Sequence, residues 1–475
     1  MEIIFVKNGV IGGGLEIMAE LQANYFYDKG FDVTIILDKS YSQKLMDSKE
    51  VAVYRKGIKI ISALTSNNYL FQSAQVKRKS ERKEWFGGSR THYYDEYGIL
   101  IKTTWIDSNG QRVKVVIPVV EEYLSTLKKG DIVITMEPSL SWYIGNLELP
   151  KGVGSISQMH NQHFFLEDWI DNSKNYTTLV CLTPKTKEFY EKIYGKKDNL
   201  SVVPNPLRSK IPRIIIPHEE RPLKIVVVGR LEDVKQPYDA INAFEMISAL
   251  YPSATLEFYG VGKLENELKL FVKKLSIVNR IFFRGYESNL EKIFSDASLM
   301  LLTSKRESFG LVIIEAFAYA VPVVTYSTSF GVNDLVEDSK DGSIVSQGNV
   351  FELVEKSIEL LSDEAKRNEF GYHGRSKVVE YEYGKVMNQW LELIKEVSSI
   401  EISNKELIYR CLKRTELPVS LYNYILSSTY SEEELEKILK FLTKAKATIL
   451  NGKAYIYSQE LLEKYKIPLK YCEVV

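Results

Sequence analysis

Five short apolar runs organise the middle of the chain: Lys224 to Val228, Thr255 to Tyr259, Arg280 to Arg284, Leu299 to Leu302 and Val323 to Tyr326, each separated from the next by a stretch of helical periodicity. Runs of that kind are buried on both faces, which is how the strands of a helix-covered parallel sheet read. Parallel neighbours need a crossover connection, and its hand is fixed by general rule. The chain is thereby committed to a doubly wound α/β sheet over this region. In such sheets ligands bind beyond the carboxyl ends of the strands, so the loops that follow these runs are the first places to look for chemistry.

The same order opens the chain. Glu2 to Val6 reads as a strand, Gly9 to Gly14 as a glycine loop, and Leu15, Met18, Ala19, Tyr25 and Phe26 mark a helix that Gly30 ends before a second strand at Phe31 to Leu37. The pattern then changes. From about Lys77 to Ile117 a basic stretch is followed by two alternating runs, Gly98 to Trp105 and Gln111 to Ile117, with Asp107 to Gly110 as a hairpin turn, so an antiparallel β insertion is expected at about 77–118. Strands resume at Asp131 to Ile134, Gly154 to Met159, Thr177 to Cys181 and Leu200 to Val203. The proline-rich stretch from Pro204 to Pro222 is taken as the linker. Three domains are therefore expected: an N-terminal Rossmann-like domain at 1–205, a C-terminal one at 206–399, and an accessory module at 400–475. In that module Glu401 to Arg414, Pro418 to Leu426 and Ser431 to Lys444 read as helices, the last with Ser431 as cap and Glu434 as its box partner, before a hairpin through Asn451 and Gly452. Helices followed by a hairpin suggest a winged-helix-like unit or an accessory bundle.

A chain of 475 residues is too long for one ordinary core. Its 62 basic and 62 acidic residues balance, which argues against a general nucleic-acid binder. Cys181, Cys411 and Cys472 are far apart and lack metal spacing, as expected of a protein in a reducing cytosol. The first strand has no long apolar signal region, and no apolar run reaches the ~18 residues of a spanning helix. A cytoplasmic location is expected, with peripheral association at the inner face of a membrane left open.

Chemistry concentrates in five places. Glu307 and Glu315 stand eight residues apart across a loop-to-helix junction, with Phe309, Gly310 and Leu311 turning into the helix just after the Leu299 to Leu302 strand. A helix N-terminus there favours a bound anion. Arg230 and Lys235 follow the Lys224 to Val228 strand in a loop, where alone they would be two solvated charges. Gly12, Gly13 and Gly14, then Glu16, follow the first strand, and glycine lets a backbone approach an anion closely. His160 and His163 end the Gly154 to Met159 strand; a metal held by these two lacks a third ligand nearby. Asn205, between Pro204 and Pro206, reads on its own as a turn residue.

The segment S-x-x-E-S-F-G-L-x-x-x-E-A from Ser304 to Ala316, with Pro322-Val323-Val324 after it and Gly331 to Asp334 beyond, resembles the donor-site signature of retaining glycosyltransferases of family 4, which have the two-lobed GT-B fold. The resemblance implies two Rossmann-like domains facing a cleft. It implies that Arg230 and Lys235 clamp a diphosphate, that Glu307 accepts hydrogen bonds from the donor sugar, and that the amides of Phe309, Gly310 and Leu311 meet the phosphates while Glu315 holds the ribose. By the same resemblance, the loop of Gly13, Gly14 and Glu16 lies under the diphosphate and beside the acceptor, His160 stands against the donor sugar with His163 as the fallback, and Asn205 belongs to a motif at the lobe junction. One departure is Asp334, where many relatives carry glutamate.

The chain has no Asp-x-Asp, the usual metal-binding signature of the other major glycosyltransferase architecture. No cofactor and no metal are therefore expected, with fixed cations at the leaving group instead. The resemblance implies retention of configuration and a nucleotide-sugar donor, UDP-GlcNAc or UDP-Glc, and a cell-surface glycopolymer, glycan or glycoprotein as acceptor. The β insertion loosely resembles enzymes that glycosylate teichoic acid or serine-rich adhesins, and its basic run Lys77 to Arg90 suits a polyanionic polymer or an anionic membrane. Homo-oligomerisation through the insertion or the tail is open, and nucleic acid is not an expected partner. The alternatives are a non-catalytic partner of another transferase, which would be expected to lose Glu307, Arg230 or Lys235, and a glycan phosphorylase.

Overall fold

The computed structural model describes residues 1–7, 14–37, 54–55, 57–62, 78–83, 89–94, 100–106, 112–116, 118–160, 175–196, 198–328, 331–398, 408, 425, 430–444, 448–450, 453–456 and 472–474. These divide into two compact units. The first comprises Met1–Met136, Asn146–Ile156 and Leu391–Val475; the second comprises Glu137–Gly145 and Ser157–Trp390.

The chain begins with β1 (Glu2–Lys7), α1 (Gly14–Asp28), β2 (Asp32–Leu37) and β3 (Lys59–Ser62). β1 and β2 run parallel in register from Glu2 opposite Asp32 to Lys7 opposite Leu37, and Ile3, Ile4, Phe5 and Val6 are buried. That burial on both faces is why β1 reads as an unbroken apolar run. α1 stops at Gly30, whose φ of +94° is costly for other residues, and the Phe31 N–H returns to the Phe26 carbonyl at 3.1 Å.

The antiparallel insertion is larger than the alternation suggested. It has four strands, β4 (Arg78–Lys83), β5 (Ser89–Tyr94), β6 (Leu100–Ile106) and β7 (Arg112–Val116), paired in that order. The basic stretch that precedes the two alternating runs is partly β4, with Arg78 opposite Tyr94 and Lys83 opposite Ser89. Charge hid it, because a strand that reads Arg-Lys-Ser-Glu-Arg-Lys carries no apolar signal. The hairpin turn expected at Asp107 to Gly110 lies outside the described residues.

α2 (Pro118–Ser125), β8 (Ile132–Thr135), α3 (Pro138–Gly145), β9 (Gly154–Gln158), β10 (Thr178–Cys181), α4 (Pro184–Tyr194) and β11 (Leu200–Val202) follow. The strands of this sheet take the order β11-β10-β9-β8-β1-β2-β3, and the described pairings are parallel. β9 crosses the division of the chain, its first three residues falling in the first unit and its last two in the second.

The second sheet lies wholly in the second unit. It contains β12 (Lys224–Val228), α5 (Pro237–Leu250), β13 (Thr255–Tyr259), α6 (Glu265–Val272), β14 (Ile281–Gly285), α7 (Leu290–Phe294), β15 (Leu299–Leu302), α8 (Leu311–Ala318), β16 (Val323–Tyr326), α9 (Val332–Leu335) and β17 (Gly342–Val345). Its order is β14-β13-β12-β15-β16-β17, parallel throughout, so the order reverses between β12 and β15. That reversal is the switch point at which such sheets open a crevice. β17 carries Gly342 and Ser343 and gives little apolar signal. The helices α10 (Val350–Leu361) and α11 (Glu364–Val378) complete its cover.

α12 (Tyr383–Ser398) and α13 (Glu432–Lys444) come next. At the start of α13 the box pairing expected from the sequence is present: the Ser431 N–H donates to Glu434 at 2.8 Å, and the Glu434 N–H donates to Ser431 Oγ at 3.3 Å. Of the two earlier helices expected in this region, all but Ile408 and Ile425 lie outside the described residues. β18 (Thr448–Leu450) and β19 (Lys453–Ile456) pair as the antiparallel hairpin, and β20 (Cys472–Val474) adds a parallel third strand. Among the described residues no helix is long and apolar enough to cross a membrane.

Candidate active site

Two loops meet at the switch point, one after β12 and one after β15. The first turns immediately, with the Gly229 N–H donating to the Tyr259 carbonyl at 2.9 Å. Only glycine fits beside it at 260, since a Cβ there would stand 2.0 Å from the Gly229 carbonyl oxygen. The loop then tightens into a single turn at Asp233–Lys235 and passes through Gln236 at φ +46° before Pro237 opens α5. Thr303 Oγ1 donates to the Lys235 carbonyl at 2.8 Å, and the Lys305 N–H donates to the Val234 carbonyl at 2.8 Å. The two loops are thus stitched together by bonds onto the Val234 and Lys235 carbonyls, one from a backbone N–H and one from the Thr303 hydroxyl.

The consequence is an ion pair. Lys235 Nζ contacts Glu307 Oε1, and Ser304 Oγ donates to the same oxygen at 2.7 Å. The side chains are 22% and 11% exposed, so both remain within reach of a ligand. Arg230, expected to act with Lys235, is 59% exposed and pairs with Glu232 at 3.0 Å.

Beyond Glu307 the chain is held from below. Phe309 is buried with its ring 5.8 Å from that of Tyr381, and Gly310 takes φ +92° to start α8. Gly331 packs against this turn so closely that a Cβ there would lie 3.0 Å from the Glu307 carbonyl oxygen. Leu311 opens the helix, and Glu315 sits one turn further on. Its neighbours Ile313, Ile314, Ala316 and Phe317 are buried. A carboxylate in that setting requires a partner, and Arg208 supplies it: Nε contacts Oε1 and Nη2 lies 3.1 Å from Oε2. The Glu315 side chain is only 1% exposed, and burial pushes its carboxyl above the usual range against the pull of Arg208.

Sequence reasoning misses Arg208, although its place three residues after Asn205 is the available signal. Asn205 itself is buried and accepts from Gln158 Nε2 at 3.0 Å. Gln158 ends β9, and His160 follows two residues later, also buried. One short loop therefore holds both the end of β9, through Asn205, and the second carboxylate, through Arg208. Burial lowers the His160 ring from an ordinary 6.5 to about 3, so it is neutral at physiological pH. It offers hydrogen-bonding atoms there, not a cationic charge. Gly14 opens α1 and Glu16 lies in its first turn, whereas Gly13 and His163 lie outside the described residues. Asp334, the position that departs from the family pattern, accepts from the Lys185 N–H at 3.2 Å, at the first turn of α4.

Among the described residues, Glu337, Asp341 and His373 bring ligand atoms within 4.8 Å of one another. Lys377 Nζ stands 2.6 Å from Asp341 Oδ2 and already supplies a positive charge.

Two doubly wound parallel sheets, the second with its reversal of strand order beside the Lys235–Glu307 pair, have the fold of the GT-B glycosyltransferases. Residues 210–377, which hold Arg230, Lys235, Glu307 and Glu315, match the family described as Glycosyl transferases group 1, and the resemblance read from Glu307-x7-Glu315 holds. The poly(glycerol-phosphate) alpha-glucosyltransferase of Bacillus subtilis is 24% identical over 262 residues, covering 55% of this chain and 39% of that protein. An exopolysaccharide phosphotransferase of Streptomyces coelicolor is 29% identical over 276 residues, 57% of this chain and 29% of that one. The chain thus spans well under half the length of these curated relatives. The pneumococcal O-GlcNAc transferase GtfA, solved with UDP and GlcNAc, has the same fold, with a TM-score of 0.64 at 15% identity over 84% of this chain and 99% of that one.

Proposed function

We propose that this protein is a metal-independent, retaining glycosyltransferase that moves a sugar, GlcNAc or glucose, from a UDP-linked donor to a cell-surface glycopolymer, glycan or glycoprotein. The observation that carries the reading is the Lys235–Glu307 pair, held by the Thr303 and Lys305 bonds at the carboxyl ends of β12 and β15. Loss of a nucleoside diphosphate builds negative charge on the leaving oxygen, and a fixed ammonium stabilises that charge without reorganising. Lys235 takes this role, with Arg230 free to turn from Glu232 onto the phosphates. Glu307 orients the donor sugar by accepting from its hydroxyls, and the amides of Phe309, Gly310 and Leu311 meet the diphosphate at the start of α8. Glu315 holds the ribose. His160 lends a neutral ring or its carbonyl to the anomeric centre as positive charge grows there. The acceptor enters along the 1–205 domain, beside Gly13, Gly14 and Glu16, and the β insertion with its basic strand β4 gives that side affinity for a polyanionic chain. The 206–399 domain binds the donor, and 400–475 is an accessory module.

The test is nucleoside diphosphate release from a panel of nucleotide sugars with EDTA present, comparing wild type with Arg230→Ala and Glu307→Ala. Release from one donor, lost in both variants, is the expected result. Release that needs a divalent cation sinks metal independence alone. Silence from every donor, with no nucleotide bound, sinks the catalytic reading in favour of a non-catalytic partner. Retention is read separately, from the anomeric proton coupling of the product.

A further inference from the structure

The nucleotide reading gives Glu315 a ribose to hold, yet the Glu315 carboxylate is out of reach as it stands. Its side chain is 1% exposed, and each of its two oxygens is engaged by one nitrogen of the same guanidinium. A hydroxyl that is to donate to a carboxylate must come within about 2.5–3.0 Å of the oxygen, and Arg208 occupies that approach. Arg208 is the accessible member of the pair, at 19% exposed. It also interacts with Tyr286, which stands exposed just beyond β14, so the guanidinium has a partner on its way out to solvent. Leu207, the residue before it, is fixed by its N–H to the Tyr381 carbonyl at 2.7 Å, so a release of Glu315 is a swing of the Arg208 side chain and not of the loop.

We propose that Arg208 is a latch on Glu315, and that the ribose of the donor nucleotide displaces it, exchanging one bidentate guanidinium for two hydroxyl donors. This rests on the nucleotide-sugar reading of the same site. The exchange forms and breaks only hydrogen bonds and an ion pair. It keeps the buried carboxylate satisfied in both states, as such a group requires. It also makes binding of the nucleoside half self-limited, because the free energy of the ribose contacts is partly offset by the pair they replace.

The experiment is calorimetric titration of the full chain with UDP and with 2′,3′-dideoxy-UDP, on wild type, Arg208→Gln and Arg208→Lys, each first shown to be folded by thermal melt. Removing the latch should tighten UDP about tenfold in Arg208→Gln, the factor that corresponds to about 1.4 kcal/mol. Dideoxy-UDP, which brings no hydroxyl to Glu315, should bind both proteins alike. Should Arg208→Gln fail to fold, Arg208→Lys decides: its single ammonium replaces a two-pronged grip, and a gain of about threefold is expected. Weaker or unchanged UDP binding in the folded variant overturns the latch and makes Arg208 a support of Glu315. A wild type that binds neither UDP nor any other nucleoside diphosphate overturns the nucleotide reading, and the latch with it.

Discussion

Glu307 and Glu315 belong to one short segment, and the structure treats them in opposite ways. Glu307 lies in a loop, shares one oxygen between Lys235 and Ser304, and stays partly open to solvent. Glu315 lies inside a helix, spends both oxygens on Arg208, and is closed off. The difference teaches what each pair does for the protein. An ion pair near the surface contributes little to folding, since water screens it, and its charges stay available for chemistry. A buried pair is a different object: removing one partner strands a charge in a medium that cannot solvate it.

The largest effect should therefore come from the closed pair. Arg208→Met leaves the Glu315 carboxylate, 1% exposed, without its guanidinium and is expected to cost about 3–5 kcal/mol of stability, read from urea unfolding. The double variant Arg208→Met with Glu315→Leu, apolar and of similar volume, should recover most of that loss. A loss within error for Arg208→Met would mean that the pair is no more than a surface contact. The open pair should behave in the reverse manner. Lys235→Ala and Glu307→Gln are each expected to lower donor turnover about 10²–10³-fold while costing less stability than the loss of Arg208, since both side chains keep some contact with solvent. Steady-state nucleoside diphosphate release measures the first quantity. An activity loss matched by an equal stability loss would erase the distinction between the two carboxylates.

The distinction is half visible in the amino-acid sequence. The strands of the second sheet and the loop-to-helix junction are legible because parallel strands are continuous apolar runs and because the Phe309-Gly310 turn is punctuated by glycine. The need of Glu315 for a partner is legible too, from Ile313, Ile314, Ala316 and Phe317 around it. The identity of that partner is not. Arg208 lies 107 residues upstream, and no local period or spacing relates two residues that only tertiary packing brings together. The same limit hides the close approach of Gly260 to Gly229 and the contact of Asp334 with Lys185. β4 escapes for another reason: a polar strand carries no hydrophobic period, whatever it pairs with.

A third kind of pairing sharpens the comparison with the smallest expected effect. His218 is buried like Glu315, but its partner is a backbone carbonyl, Ala320 O at 2.9 Å from Nε2. Its backbone N–H follows the same pattern from the other side, donating to Asn368 Oδ1 at 3.2 Å. Burial first, and then the charge of Arg221, lowers the ring from an ordinary 6.5 to about 3. The folded protein thus keeps His218 neutral over a range in which the unfolded chain takes up a proton. A depressed value of this kind means that stability is full above about pH 6.5 and is lost as the pH falls toward 3. Over the step from pH 7 to pH 5 the group should account for a loss of roughly 2 kcal/mol. His160, lowered by burial alone, adds a similar share over the same window. His218→Gln keeps an amide donor for the Ala320 carbonyl but has no proton to gain. Its urea midpoint should therefore fall less than that of wild type between pH 7 and pH 5, with the remaining slope due to His160 and the carboxylates. If the two proteins lose stability in parallel, His218 is charged in the fold, and a lone carbonyl is then enough to hold a buried cation where Glu315 needs a full guanidinium.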